Sequence, residues 1–303
     1  MKPQKRTEKG DPSQIQQKFT LIPLNIWCCR FWKLKEWDCT DMAFPYWRIY
    51  WNKNHGGVLE YKDRRFVMNP ENLYIIPPNT LYQAWYGNKK RFHSGIHVKG
   101  RRIEAGEDEK KAGREDLLHL FIHFNLGVPF DYITPDIYSL HLNPEQLKKL
   151  EWLTGQIKKD PAHFPVHLSM FLQSLILELL GQLKTISWED SGIDIRILKV
   201  IRYIDQNATH SPSNPELAAM INLADNSFVR LFKKEMGLSA QQFIKEQKIN
   251  KACALLDHTD HSIDEVAVRT GFADRYHFSR IFKQIKGISP ARYRKSRIES
   301  NLH

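Results

Sequence analysis

Two similar stretches near the C-terminal end place arginine and lysine at matching positions. RLFKKEMGLS begins at Arg230, and RIFKQIKGIS begins at Arg280, which is 280 − 230 = 50 residues later. A guanidinium can form two parallel hydrogen bonds with a guanine edge or a phosphate, whereas an ammonium acts as a point charge. Because a repeat at this spacing is typical of one supersecondary unit used twice, we expect the same basic chemistry at two places.

The repeat extends beyond these stretches on both sides. ELAAMINLADNSFVRLFKKEMGLSAQQF begins at Glu216, and EVAVRTGFADRYHFSRIFKQIKGISPARY begins at Glu265, with one additional residue in the second copy between Asp274 and Phe278. In each copy a short segment leads to a turn, and a longer helical pattern follows the turn. This order predicts a helix-turn-helix unit in each copy.

The longer helix of each unit has an apolar face and a basic face. Apolar residues recur at i, i+3 and i+4, which directs them to a core; they are Phe228, Leu231 and Phe232 in the first copy and Phe278, Ile281 and Phe282 in the second. The opposite face carries Arg230, Lys233, Arg280 and Lys283. An outward helix with arginine at its centre fits the major groove of DNA.

The positive charge is concentrated at the same end of the chain. The formal net charge is +11, and residues 274–303 hold eight Lys or Arg against two acids. A basic run is often only a solvated helix face, so the charge by itself leaves that interpretation open beside a polyanionic partner. The repeat favours the polyanion.

These residues resemble a known family. VAVRTGFADRYHFSRIFKQIKGISPARYRK, from Val266 to Lys295, looks like the signature of the AraC/XylS family of bacterial transcription regulators, with Ala before the turn, GF at the turn, FSRxFK and then GxSPxxYR. With the first copy, the resemblance covers residues 193–297. In that family two helix-turn-helix units, joined by a long helix, insert their recognition helices into successive major grooves. The joining helix here would be SAQQFIKEQKINKACALLDH, from Ser239.

The resemblance also implies which side chains contact DNA. The positions that contact bases fall on Asn226, Val229, Arg230, Arg275, Tyr276, Ser279 and Arg280. Phosphate contacts are expected from Lys233, Lys283, Arg292 and Arg294. Val229 and Tyr276 are poor or ambiguous hydrogen-bonding partners for bases, so contacts with thymine methyl groups or with the DNA backbone are expected there. Alanine stands where the family often has a capping serine, so Asp225 or Asp274 is the alternative cap.

The part of the chain that precedes the repeat has the pattern of a β domain. Between Tyr46 and Leu142, runs rich in aromatic and β-branched residues alternate with turn signals such as KNHGG and NPEN. This rhythm predicts a sheet sandwich or barrel. The resembling family commonly carries an N-terminal cupin-like β-barrel that binds a small effector, and LYIIPPNTLYQAW is similar to one of its segments. The charged KGRRIEAGEDEKKAGRED, from Lys99, predicts a loop or hairpin tip.

The predicted fold class is therefore α+β, with an N-terminal cupin-like β-barrel, a helical dimerisation segment and a C-terminal all-α double helix-turn-helix domain. The predicted boundaries are 1–20 for a disordered basic tail, 21–142 for the effector domain, 143–184 for the helical segment, 185–192 for a linker and 193–297 for the DNA-binding domain. A chain of 303 residues with 42% hydrophobic residues is long enough for two such cores.

An effector pocket is predicted from aromatic residues and histidines on the expected strands. Its candidate residues are Trp51, Tyr82, Trp85, His119 and His123. Aromatic side chains can form a flat wall for a sugar or an aromatic compound, but they also dominate the cores of small barrels. For the two histidines, half-buried barrel residues and pocket-lining groups remain equal alternatives.

No metal or other cofactor is predicted. His119 and His123, four residues apart on one strand, lie roughly 13 Å apart along it, too far to share one ion. The HxH motif with a following Glu is absent, and the four cysteines form no CxxC pair.

No nucleophile, base and oxyanion donor occur together, so the chain is not predicted to be an enzyme. The alternatives are a cupin enzyme with a DNA-localising tail and an architectural DNA-binding protein without an effector.

Two helical patterns lie between the predicted domains, NPEQLKKLEWLTGQIKKD from Asn143 and FPVHLSMFLQSLILELLGQL from Phe164. The second has an apolar stripe from Leu168 to Leu183 that is too wide for one neighbour. It either covers the barrel or forms a dimer seam, and the resemblance implies a homodimer. The resemblance also implies RNA polymerase as a partner. An activator is predicted, with a repressor as the open alternative. Because no apolar run reaches the roughly 18 residues of a membrane span, we expect a cytoplasmic protein without a membrane partner.

Overall fold

The computed structural model describes residues 20–87, 95–103, 106, 116–184, 186, 188, 193–207 and 209–298. The predicted tail and most of the predicted charged loop and linker lie outside these residues. The strands are β1 (Asn25–Met42), β2 (Trp47–Asn52), β3 (Val58–Tyr61), β4 (Arg64–Val67), β5 (Asn72–Ile76), β6 (Tyr82–Tyr86), β7 (Gly95–Arg102), β8 (Leu117–Asn125) and β9 (Tyr138–His141). The helices are α1 (Pro144–Lys159), α2 (Val166–Gly181), α3 (Ile195–Gln206), α4 (Asn214–Met220), α5 (Asp225–Met236), α6 (Ala240–His258), α7 (Ile263–Arg269), α8 (Arg275–Lys286) and α9 (Pro290–Ile298).

All described strands pair antiparallel in one sheet with the order β4-β3-β6-β1-β8-β2-β5-β9, and β7 pairs with β1. The 18-residue β1 organises the sheet, because β8 pairs with its first half and β6 with its last part. The sheet is curled into a half-barrel, followed by helices. The predicted α+β class is confirmed.

The two faces of the sheet have different partners. In β2 every residue is buried, and alternate side chains point to opposite faces. Trp47, Ile49 and Trp51 belong to the core cluster on the outer face, which α1 and α2 cover. Tyr50 belongs to the cluster on the inner face. A strand that is buried on both faces thus separates two cores.

The apolar stripe of α2 covers the sheet. Leu168, Leu172, Leu175 and Leu179 are all buried in the outer core cluster together with residues of β2 and β8. The sequence predicts that the stripe either covers the barrel or forms a dimer seam. These four leucines cover the half-barrel. The apolar side chains of α2 that remain exposed are Val166, Met170 and Leu177. No helix among the described residues is long and apolar enough to cross a membrane.

The predicted helix-turn-helix units are α4 with α5 and α7 with α8. Reciprocal capping boxes begin α4 and α7, and α5 and α8 have 12 residues each and end at glycines in the left-handed conformation. Asn222 and Gly271 occupy the same place in the two turns, both at positive φ. They are 271 − 222 = 49 residues apart, whereas Asp225 and Arg275, which begin the second helices, are 275 − 225 = 50 apart.

The additional residue of the second copy therefore lies in the turn before α8, so its predicted place between Asp274 and Phe278 is wrong. A turn accepts an insertion more easily than a hydrogen-bonded helix. The longer turn also brings Asp274 to the N-cap position, where its side chain accepts a hydrogen bond from His277 N at 2.8 Å. The first copy has Ala224 at this position and no side-chain cap, so Asp225 does not replace the missing serine.

One buried lysine of α6 links the turn of the second unit to the segment after α3. Lys248 is 5% exposed, and its ammonium donates to Ser211 Oγ at 2.7 Å and to the carbonyl oxygens of Gly271 at 2.9 Å and Thr209 at 3.3 Å. Three acceptors satisfy all three of its donors. Gly271 is at φ +73°, and a Cβ there would overlap the Thr209 carbonyl oxygen and lie 2.6 Å from Thr209 Cα. The turn of the second unit is thus held against the segment after α3.

We predict that Gly271→Ala destabilises the protein far more than Gly237→Ala. Both glycines have the same left-handed conformation, but a Cβ at Gly237 meets nothing within 4 Å. The conformational cost of about 1–2 kcal/mol applies to both, and overpacking adds about 1–3 kcal/mol at Gly271 alone. Thermal or urea unfolding measures the difference. Equal losses in the two variants would contradict the close contact with Thr209.

Candidate nucleic-acid interface and internal cavity

Most of the predicted base-contacting residues lie on the side of α5 and α8 that faces away from the core, whereas Val229 packs against the core of the first unit. Five are exposed, namely Asn226, Arg230, Arg275, Tyr276 and Arg280, and two are half-buried, namely Val229 and Ser279. Phe228, Phe232, Phe278 and Phe282 are fully buried on the other side. Both helices therefore present a polar and basic face around one central arginine, Arg230 or Arg280.

The contacts that hold these side chains are weak. Arg230 Nε donates to the carbonyl oxygen of Asn226 at 3.3 Å. Arg275 Nη1 lies 3.2 Å from Asp264 Oδ2, and both side chains are more than half exposed, so this ion pair contributes little. Tyr276 is 85% exposed. These side chains can therefore exchange their present contacts for DNA at small cost.

The predicted phosphate-contacting residues are placed less uniformly. Lys233 and Lys283 are exposed near the C-terminal ends of α5 and α8, and Arg292 is exposed on α9. Arg294 is half-buried, and its Nε and Nη2 atoms are shielded from solvent. Arg294 is thus less accessible to a phosphate than the other three.

A cavity lies between the inner face of the sheet and the C-terminal end of α6. Its walls are mainly aromatic and apolar, with a few polar groups; they include Arg30, Trp32, Leu34, Trp37, Phe44, Tyr50, Tyr82, Val98, His119, Phe121, His123, Asp257 and His258. Of the predicted effector residues, Tyr82, His119 and His123 are brought together here. An apolar pocket with a few polar groups is typical of small-molecule sites.

Trp51 and Trp85 are not part of this cavity. Trp51 points to the outer face of the sheet, where it packs in the outer core and its Nε1 donates to the Pro70 carbonyl oxygen at 2.8 Å. Trp85 is half-buried, with the guanidinium of Arg65 5.4 Å from its ring centroid. The prediction of an effector contact is therefore withdrawn for these two tryptophans.

Two cavity residues come from the DNA-binding part of the chain and were not predicted from the sequence. Asp257 and His258 end α6, and Asp257 Oδ2 accepts hydrogen bonds from Tyr46 Oη at 2.9 Å and from Tyr293 Oη at 3.2 Å. The rings of Tyr46 and His258 are 5.3 Å apart. The helix that joins the two helix-turn-helix units thus closes one wall of the cavity.

A fully buried arginine lies directly behind the cavity wall. Arg48 is 0% exposed, its Nη1 donates to Tyr82 Oη at 2.9 Å, and its guanidinium lies 4.3 Å from the Phe44 ring and 4.5 Å from the Tyr82 ring. Its Nε and Nη2 atoms are buried without a hydrogen-bond partner. Burial raises the pKa of Tyr82 well above its usual value, although Arg48 offsets part of this effect, so Tyr82 stays neutral and does not balance the charge.

His119 is a neutral polar group in the same wall. Its Nδ1 donates to Asn52 Oδ1 at 2.7 Å, and its ring lies 4.8 Å from that of Trp37. Burial lowers the pKa of His119 from 6.5 to about 3. The ring therefore offers its other nitrogen as a hydrogen-bond acceptor at neutral pH.

The chain is similar to known proteins both in its helix-turn-helix region and over most of its length. Residues 217–296 match the helix-turn-helix domain family. The HTH-type transcriptional activator RhaS of Klebsiella pneumoniae (strain 342) is 25% identical over 158 residues, which cover 52% of this chain and 57% of the relative. The arabinose operon regulatory protein of Escherichia coli (strain K12) is 26% identical over 268 residues, 78% of this chain and 76% of the relative.

The HTH-type transcriptional regulator MtrA of Neisseria gonorrhoeae is 31% identical over 155 residues, which cover 50% of this chain and 50% of the relative. This chain thus spans about half the length of RhaS and of MtrA. Among solved structures, an apo single-residue variant of ToxT from Vibrio cholerae strain SCE256 aligns with 88% of this chain and 96% of its own, with a TM-score of 0.52 and 11% identity. At that identity the likeness concerns the fold alone: a curled sheet followed by a double helix-turn-helix.

His119 predicts a pH dependence of stability. Its pKa is lower in the folded than in the unfolded chain, so the unfolded chain binds the extra proton as the pH falls below 6.5. The contribution of His119 to the free energy of unfolding is therefore fully present above pH 6.5 and is lost toward pH 3. It falls by about 1.4 kcal/mol for each pH unit in this range. Urea unfolding of the wild type and of His119→Gln, compared from pH 7 downward, measures it. The variant should show the smaller slope, and equal slopes would contradict a buried neutral imidazole.

Proposed function

The C-terminal region of this chain belongs to the AraC-type helix-turn-helix domains, and from this premise we propose that the protein is a sequence-specific DNA-binding transcription regulator controlled by a small molecule. The main support is the pair α5 and α8. They have equal length, the same buried phenylalanine positions and an arginine as their sixth residue. Two such helices fit two successive major grooves, which lie about 34 Å apart.

The joining of the units supports a sequence-specific role over a purely architectural one. α6 is a continuous 19-residue helix, and its Lys248 bonds both the turn of the second unit and the segment that leads from α3 into the first unit. A fixed spacing between two recognition helices matches a fixed spacing between two half-sites. We propose a regulatory and not a catalytic role, because the relatives are regulators by name.

We further propose that the cavity binds the effector and that α6 transmits its presence. Asp257 and His258 belong to the cavity wall, while the same helix carries the contacts that position the second unit. A ligand that binds better when α6 is displaced shifts the population toward that state. The spacing of α5 and α8, and with it the affinity for DNA, then depends on the ligand.

Arg48 narrows the chemistry of the effector. A guanidinium keeps its charge in any protein environment, and a buried charge without a partner is costly. Among the described residues, no carboxylate forms a salt bridge with Arg48, and Tyr82 is neutral. An anionic group in the aromatic cavity would balance this charge. We therefore propose an aromatic or otherwise apolar carboxylate in preference to a neutral sugar.

A homodimer, RNA polymerase as a partner and a cytoplasmic location remain proposals that rest on the family. The leucine stripe of α2 is occupied by the sheet, so the proposed dimer contact moves to the exposed side chains Val166, Met170 and Leu177. A regulator of this type acts on the chromosome, which is why we propose the cytoplasm.

Arg230→Ala and Arg280→Ala test the DNA-binding proposal. Each substitution should cost about 1–3 kcal/mol of binding and relax the specificity at its own half-site only. Lys233→Ala and Lys283→Ala are matched controls: they should weaken all sequences alike and reduce the salt slope by about one unit each. The measurement is a titration against operators altered in one half-site at a time. Uniform losses from both arginine substitutions would mean that these arginines only position the protein.

Arg48→Met tests the effector chemistry. Methionine keeps an unbranched side chain without the charge, so the unliganded variant should be at least as stable as the wild type. Benzoate and phenylacetate should stabilise the wild type by about 2.7 kcal/mol at a concentration of 100 times Kd, which raises its melting temperature. They should leave the melting temperature of Arg48→Met unchanged. Benzamide and phenylacetamide are the neutral controls. A carboxylate response that survives in the variant would exclude Arg48 as the counter-charge.

A further inference from the structure

Three side chains that bind borderline or soft metal ions meet where the sheet contacts α6. Cys28 comes from β1, His123 from β8, and His258 is the last residue of α6. The sulfur and ring nitrogen atoms that they offer all lie within 4.8 Å of one another. His123 is buried, and the other two are half-buried.

The fold brings these residues together in two steps. Cys28 and His123 are directly paired in the antiparallel β1–β8 ladder, immediately after an irregularity that follows Ile26. Opposite residues in such a ladder share a face, with Cβ atoms about 4.5–5.5 Å apart. His258 is delivered by α6, whose end is anchored through Asp257 to Tyr46 and Tyr293.

The distance between the two histidines fits one shared ion. His123 Nδ1 lies 3.4 Å from His258 Nε2, which is long for a hydrogen bond, since N–H bonds cluster near about 2.9–3.0 Å. Two imidazole nitrogens on a tetrahedral zinc ion, each at about 2.0–2.1 Å, are about 3.4 Å apart. The corresponding sulfur-to-nitrogen separation is about 3.6 Å, so a side-chain adjustment of roughly 1 Å completes the set.

We propose that Cys28, His123 and His258 form a binding site for Zn²⁺ or another divalent ion of that class. One thiolate and two imidazoles suit such an ion, whereas Mg²⁺ and Ca²⁺ require oxygen ligands. The fourth ligand is a water molecule from the cavity, because His123 and His258 also line it. This site differs from the pair His119 and His123 on one strand, because each of its ligands comes from a different element.

The bound ion would link the half-barrel to the helix that joins the two DNA-binding units. Two ligands belong to the sheet and one to α6, so the ion fastens the end of α6 to the cavity wall. Metal binding also stabilises the folded state, because the unfolded chain does not hold the three ligands together. The site can be tested without DNA and without an effector, so its failure would leave the proposed function untouched.

Cobalt titration of the full-length chain, after treatment with a chelator, tests the site. Tetrahedral Co²⁺ gives visible d–d bands, and a thiolate ligand adds a near-ultraviolet charge-transfer band. We expect one Co²⁺ per chain with both features, loss of the bands when Zn²⁺ is added, and a melting temperature that rises with Zn²⁺. Absence of the thiolate band, or of any shift in melting temperature, would overturn the proposal.

Two neighbouring cysteines provide a matched pair of variants. Cys28→Ala should remove the charge-transfer band, whereas Cys29→Ala should keep it, because Cys29 is buried in the core on the outer face of the sheet. His258→Gln should weaken Co²⁺ binding at least tenfold, and His119→Gln, on the same strand as His123 but outside the cluster, should not. Equal binding by the wild type, Cys28→Ala and His258→Gln would show that the metal binds elsewhere and would overturn the site.

Discussion

The docking of the C-terminal end of α6 onto the inner face of the sheet is the interaction on which the other features depend. Asp257 accepts hydrogen bonds from Tyr46, near the start of β2, and from Tyr293 on α9, so one carboxylate joins three parts of the chain. Ala254, one turn earlier, is buried in the inner core of the sheet. Without this docking the cavity would lose a wall, and α6 would be left with the contact of its first turns with Val128 and Tyr132.

The interior of the half-barrel departs from a purely structural core. Arg48 and His119 lie among aromatic rings, and each has one side-chain hydrogen bond to a neutral partner. A core selected for stability alone would have apolar groups of similar volume at these positions, because a buried charge costs free energy unless an opposite charge is near. Under the proposed function, these polar groups would balance the charge of the effector and bind it.

The rigidity of the DNA-binding region comes from a few tight contacts that its general helical pattern does not reveal. The three hydrogen bonds of Lys248 and the close approach of Gly271 to Thr209 fix the second turn. The basic faces of α5 and α8, in contrast, have few contacts of their own. A stiff frame with loosely held surface side chains suits a protein that must present two helices at one spacing and exchange side-chain contacts on binding.

Features that depend on near neighbours along the chain follow from the amino-acid sequence alone. The period of Phe228 and Phe232 and the glycines that end α5 and α8 are local features, so the helix-turn-helix units and the long joining helix could be predicted. The faces of the strands were decided by sheet register: Trp51 points outward and Tyr82 inward, and a shift of one residue would reverse either side chain. The contributions of Asp257 and His258 to the cavity, and their approach to His123 and Cys28, arise only from tertiary packing, because no local pattern encodes contacts between residues more than a hundred positions apart.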